Sequence, residues 1–216
     1  MSLLRTRLPL ACLPLLAVLC LLTGVSAQAA DPAPNHVLRL DGSGDYVRFA
    51  SNIFDDLEQA TIEAWVKWDS FGWNDQWFGY GALGLFAINT RALLAFDLYD
   101  RHQELHRIMA TTNLGPGRWI HMAAVSGPDG MRLYLNGFEV GRDDFAGSFA
   151  ALGNGDEVVL GRHMWRSNLD FMGELDEVRV WGTQRSAAQI RADLHRRLRG
   201  DEEGLAALWN FDGACA

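Results

Sequence analysis

The chain has 216 residues, 49% of them apolar and 11% aromatic, with a formal charge of −8. An acidic balance of this size argues against nucleic acid or an anionic membrane surface as partner, because both reward a basic patch. Three cysteines are too few for a disulfide-stapled scaffold, so a hydrophobic core must hold the fold.

The first 29 residues read as a secretory signal. Arg5 and Arg7 precede an apolar run from Leu8 to Leu22, and Ala27 and Ala29 form an A-x-A cleavage pattern. Pro9 and Pro14 interrupt the run, which disfavours a retained anchor. Cleavage after Ala29 is expected to give a secreted chain of 187 residues, extracellular or periplasmic, with charge −10. It keeps all eight tryptophans and one cysteine, Cys215, which is either a free thiol or an intermolecular link. A short lead, residues 30–35, then precedes one domain, residues 36–213.

Strand-like segments come at short intervals, separated by Gly, Asn, Asp and Pro: 36–40, 45–49, 61–68, 83–88, 92–99 and 105–111, then 118–126, 131–136, 138–142, 157–162, 174–181 and 205–211. Many short strands at this spacing predict an all-β antiparallel sandwich or barrel. Asn136-Gly137 predicts a two-residue hairpin turn, since both positions accept positive φ. A surface helix is predicted from Ser186 to Gly200, with Ser186 and Gln189 as a capping box and Ile190, Leu194 and Leu198 as its apolar stripe. The longest irregular stretch is 69–82, and loops of that length are often functional.

Other segments carry possible chemistry. "DGSGD", Asp41 to Asp45, is too short for a phosphate-binding loop and has no helix after it. His102 and His106 are four apart, a metal-binding spacing on a helix but two pleats apart on the strand expected here. The 69–82 loop offers Trp73, Trp77 and Tyr80 as sugar-stacking rings, with Asn74, Asp75 and Gln76 as hydrogen-bonding partners. The same aromatics could instead fold back as a lid over the sandwich, Trp73 and Trp77 being expected as the exposed ones. Arg162 and Trp165, in a second loop, could extend the platform.

The blocks "LRLDGSGDYVRF", "TIEAWVKW", "RWIHMAAVSGPDGMRLYLNGFEVG", "VVLGRH", "FMGELDEVRVWGTQRSAAQI" and "GLAALWNFDG" resemble, in order, those of the laminin-G-like, concanavalin A-like jelly-roll family, a relative of the pentraxins. The resemblance spans about residues 36–213. It implies an all-β, two-sheet antiparallel jelly-roll sandwich with one short C-terminal surface helix, in which the first and last blocks are neighbours and Asp41 approaches Asp212. It also implies a structural calcium in some members, for which Asp41, Asp45, Asp176 and Asp212 are the candidate ligands here. Ordinary turn hydrogen bonding by Asp41 and Asp45 is the competing account.

Glucanases of this fold place acids on one strand as E-x-D-x-E or E-x-D-x-x-E. Simple alternation along "ELDEVRVW" puts Glu174 and Asp176 on one face and follows them with Val178, or with Arg179 in the longer spacing. The second carboxylate that retaining hydrolysis needs, about 5–5.5 Å away, is absent from that pattern. Alternation also places Asp176 with Val178 and Val180. The expected role is a secreted, non-catalytic module that binds a glycan or an extracellular protein. A glycosidase or polysaccharide lyase, and a purely structural or adhesive module, stand as alternatives.

Overall fold

The computed structural model describes residues 34–49, 53–71, 75–81, 86–90, 94–111, 114–152, 157–163 and 169–213. The expected signal and most of the lead lie outside them. The described residues form two antiparallel sheets. One contains β1 (Leu38–Asp41), β3 (Ala60–Trp68), β8 (Ile120–Ser126), β9 (Met131–Leu135), β10 (Phe138–Asp143), β12 (Met172–Trp181) and β13 (Leu205–Trp209). The other contains β2 (Val47–Phe49), β4 (Asp75–Tyr80), β5 (Phe86–Thr90), β6 (Leu94–Tyr99), β7 (Leu105–Ala110) and β11 (Val158–Leu160).

The first sheet runs β1-β12-β3-β8-β9-β10, with β13 also paired to β12, and the second runs β2-β11-β4-β5-β6-β7. Period-two patterning explains the inner layer. On β3, Ala60, Ile62, Ala64, Val66 and Trp68 enter the core while Thr61, Glu63, Trp65 and Lys67 face out. Met122 and Ala124 of β8, Val178 and Val180 of β12, and Phe78, Ile88 and Phe96 of the second sheet complete the same core. This is the jelly-roll sandwich the sequence implies.

Asn136 and Gly137 take φ of 49° and 76°, the two left-handed positions a tight hairpin turn requires. The turn is locked to the only α-helix among the described residues, α1 (Ala187–Asp193), by Arg191, whose Nη1 donates to Gly137 O at 2.8 Å. The predicted capping box is present at Ser186 and Gln189.

Two expectations are corrected. The stretch 69–82 is not wholly a loop: its second half is β4, hydrogen-bonded on both sides by β11 and β5. The helix stops at Asp193, short of Leu198, and carbonyls at and beyond its end are capped from the sheet below. Arg179 donates to Asp193 O at 2.9 Å and to Arg196 O at 2.7 Å, and Trp65 Nε1 donates to Leu194 O at 3.1 Å. Leu194 and Leu198 are still buried.

Candidate functional site

The site is built around an irregularity in β12. Its register against β3 shifts between Asp176 and Arg179, and Glu177 has φ of 49°. Such a bulge changes the phase of the strand. Leu175, opposite Val66, points inward before it, and Val178 and Val180 point inward after it. Asp176 therefore pairs with Trp65 on the outer face, not with the valines, which corrects the alternation argument.

Part of this outer face lies under α1. Glu63, fully buried, accepts from Trp181 Nε1 at 2.9 Å, Arg185 Nη1 at 3.1 Å and Arg179 Nη1 at 3.4 Å. Arg185 also pairs with Asp193 and lies 3.9 Å from the Trp181 ring centroid. Burial raises the Glu63 carboxyl above its ordinary range against the pull of the two arginines. His121, 3.8 Å from Glu63, stays neutral: burial first, then Arg179, lowers its pKa to about 3. Nearer the strand start, Glu174 is held by Lys67 and Arg39, and the Lys67 bond chiefly lowers its pKa.

Beyond Asp193 the helix gives way to residues 194–197, and a cleft of about 220 Å³ opens beside them. Its floor is Trp65, partly exposed, with the exposed His195 ring stacked on it at 5.5 Å and 27°. Asn35, Asp176, Arg196 and Arg197 supply its polar wall. Asp176 accepts from Asn35 Nδ2 and from Glu177 N–H, both at 2.8 Å, and burial raises its pKa. Asp212 accepts from His36 N–H at 2.9 Å and is paired with Arg197 at 2.9 Å. On the far side of residues 35–36 lies a larger, mostly apolar groove of about 810 Å³ that includes Trp209 and Phe211.

The predicted calcium set does not assemble. β1 and β13 do share one edge of β12, but in succession: Asp41 lies opposite Met172 and Trp209 opposite Val178. Asp41 is thus four β12 residues from Asp176, roughly 13 Å at about 3.3 Å per residue. Asp41 Oδ1 makes a turn hydrogen bond to Ser43 N–H at 2.7 Å, and Asp45 is exposed on the same loop. Asp176 and Asp212 are close to each other, yet their oxygens face N–H donors and a guanidinium. These residues do not fit a shared calcium.

The stacking platform is also corrected. Trp77 and Tyr80 are fully buried core residues, and Asp75 and Gln76 are buried with them, because β4 is central in its sheet. Trp73, Asn74 and Trp165 lie outside the described residues. Arg162 packs its guanidinium over the exposed Tyr46 ring at 4.7 Å, beside the Asp41–Asp45 loop. Trp65, His195, Asn35 and Arg197 were missed as site residues. Trp65 carried a readable signal, since a tryptophan between Glu63 and Lys67 on the polar face of a strand has no place in the core.

The architecture defines the class: a two-sheet antiparallel jelly roll with a helix over part of one outer face. The chain belongs to the laminin-G-like family of the concanavalin A-like lectin/glucanases superfamily, whose description matches residues 41–191. It is 23% identical to pappalysin-1 of Mus musculus over 192 residues, covering 78% of this chain and only 12% of that protein. The heptameric SAP-like pentraxin of Limulus polyphemus has a similar fold, with a TM-score of 0.58, 18% identity, and 85% of this chain and 89% of that one covered. So does the CBM40 domain of the Ruminococcus gnavus IT-sialidase, bound to α2,3-sialyllactose, with a TM-score of 0.63, 15% identity, and coverage of 72% and 95%.

Proposed function

We infer that this chain is a secreted, non-catalytic carbohydrate-binding module that takes a sugar in the outer-face cleft at Trp65 and His195. The observation that carries the reading is the aromatic pair at the floor of a polar cleft. The apolar face of a pyranose stacks on such rings while its hydroxyls bond to an amide, carboxylates and guanidinium groups. Asn35, Asp176 and Arg197 are the partners available here. At about 220 Å³ the cleft is smaller than the ~300–1,000 Å³ of drug-sized ligand sites. It suits one ring, the end of a glycan, and the apolar groove beyond residues 35–36 can receive the neighbouring sugar units. The sialyllactose complex of the CBM40 domain supports a glycan as ligand class, and the export-signal pattern of residues 1–29 supports an extracellular setting.

The test is a glycan array followed by calorimetry on the best oligosaccharide. His195→Ala is expected to weaken binding about fivefold, the value of one stacked ring, with an unchanged melting temperature because His195 is exposed. An array without a single ligand, or affinity unaltered in both His195→Ala and Trp65→Ala, overturns the reading.

A further inference from the structure

The β6–β7 hairpin carries a second arrangement that the cleft does not use. In its turn, Asp100 N–H bonds to Glu104 O at 3.1 Å, and Gln103 takes φ of 63°. Asp100, nine-tenths buried, accepts the His102 and Glu104 N–H groups at 2.8 and 2.9 Å, both through Oδ1. That fixes the carboxylate and leaves Oδ2 without a hydrogen-bond donor. His106 turns back toward it, its ring flat on Phe145 at 3.6 Å and 12°. Its Nε2 is shut off from solvent, has no hydrogen-bond partner, and stands 3.8 Å from Asp100 Oδ2. Glu104 brings a third donor: one ligand atom from each of the three residues lies within 4.8 Å of the other two.

A nitrogen and an oxygen 3.8 Å apart are too distant for a hydrogen bond, which ends near ~3.2 Å. They are close to the ~3.4 Å edge of a tetrahedron built on metal bonds of about 2.0–2.1 Å. A buried imidazole nitrogen with no partner is unfavourable, and a cation between it and the carboxylate removes the penalty. One imidazole and two carboxylates suit zinc and its first-row neighbours, whereas calcium takes oxygen alone. A cleft of about 400 Å³, lined by Asp100, His102 and Phe145 among others, lies on the Asp100 side of the group.

We propose that Asp100 Oδ2, Glu104 and His106 Nε2 bind one zinc-class divalent ion at the tip of the β6–β7 hairpin, leaving its fourth position to water. The full chain, stripped with EDTA, is titrated with zinc chloride by calorimetry, while NMR follows the His106 ring. One equivalent is expected, with movement of the His106 signals and no heat from calcium chloride. His106→Gln is expected to abolish this binding and Glu104→Gln to weaken it about tenfold or more. His195→Ala, at the other site, leaves it unchanged. Glu104 is exposed, so its variant decides the matter even if His106→Gln fails to fold. No zinc uptake by the wild type, or wild-type affinity in Glu104→Gln, overturns the proposal.

Discussion

Glu63 and Asp176 lie on the same outer face of the same sheet, yet they live in different regions. Glu63 sits under α1, enclosed by Arg179, Arg185 and Trp181. Asp176 sits where the helix has ended, beside a tryptophan that solvent can reach. The covered half uses its charges to fasten one layer to another. The other half lies beside a cleft where a partly exposed tryptophan, an exposed histidine ring and arginine side chains can meet a ligand. The boundary between them is Arg179, which caps the helix end at the Asp193 carbonyl and also holds the carbonyl of Arg196.

The strongest way to break this contrast is Glu63→Ala. It removes the carboxylate that Arg179, Arg185 and Trp181 share, leaving the indole N–H unpaired and each buried guanidinium short of one partner, so urea denaturation is expected to show a loss of about 3–5 kcal/mol. A loss under ~1 kcal/mol would mean the covered half is not an anchor. The next effect is on pH dependence. His121 is depressed from 6.5 to about 3 in the folded protein, so between those values the unfolded chain binds a proton that the folded chain does not. Stability from this group is therefore full above pH 6.5 and declines as pH falls, by up to about 1.4 kcal/mol per unit. Glu63, raised by burial, acts in the opposite sense, binding its proton more readily when folded. The difference in slope between wild type and His121→Leu from pH 6.5 to 4.5 isolates the histidine, and equal slopes would remove its role.

A smaller change sharpens the comparison from the helix side. Ser186→Ala deletes the cap on α1 and is expected to cost about 1 kcal/mol, read as a lower melting temperature with little effect on glycan affinity. The smallest effect belongs to the half beside the cleft. Asp176 has a raised pKa, chiefly through burial, so ionising it above that pKa costs stability and Asp176→Asn removes the cost. Stability at pH 7 is expected to stay within about 1 kcal/mol of wild type or to rise slightly. A large loss would show that Asp176 is an anchor like Glu63.

Local rules were readable in the sequence, and changes of partner were not. Asn136-Gly137, the Ser186–Gln189 box and the alternation of β3 depend on neighbours in the chain, and each folds as its residues demand. The bulge at Asp176 lies where the edge partner of β12 passes from β1 to β13, an event that local patterning does not carry. It misplaced Asp176, while the calcium set implied by the resemblance fails because β1 and β13 meet β12 in succession. β4 escaped notice for a similar reason. "DQWFGY" has the composition of a loop, and only its burial between β11 and β5 makes it a central strand. The helix end was not legible because the residues that hold the chain at and beyond Asp193, Arg179 and Trp65, lie on other elements.

The most direct test is an NMR titration of the full chain with an array-selected oligosaccharide, following the tryptophan indole N–H signals. If the cleft side of the first sheet holds the sugar, the resonance of Trp65 shifts progressively, the His195 ring moves with it, and the interior Trp77 stays still. Movement confined to Trp209, or an unperturbed spectrum at concentrations that saturate the array, would contradict that account.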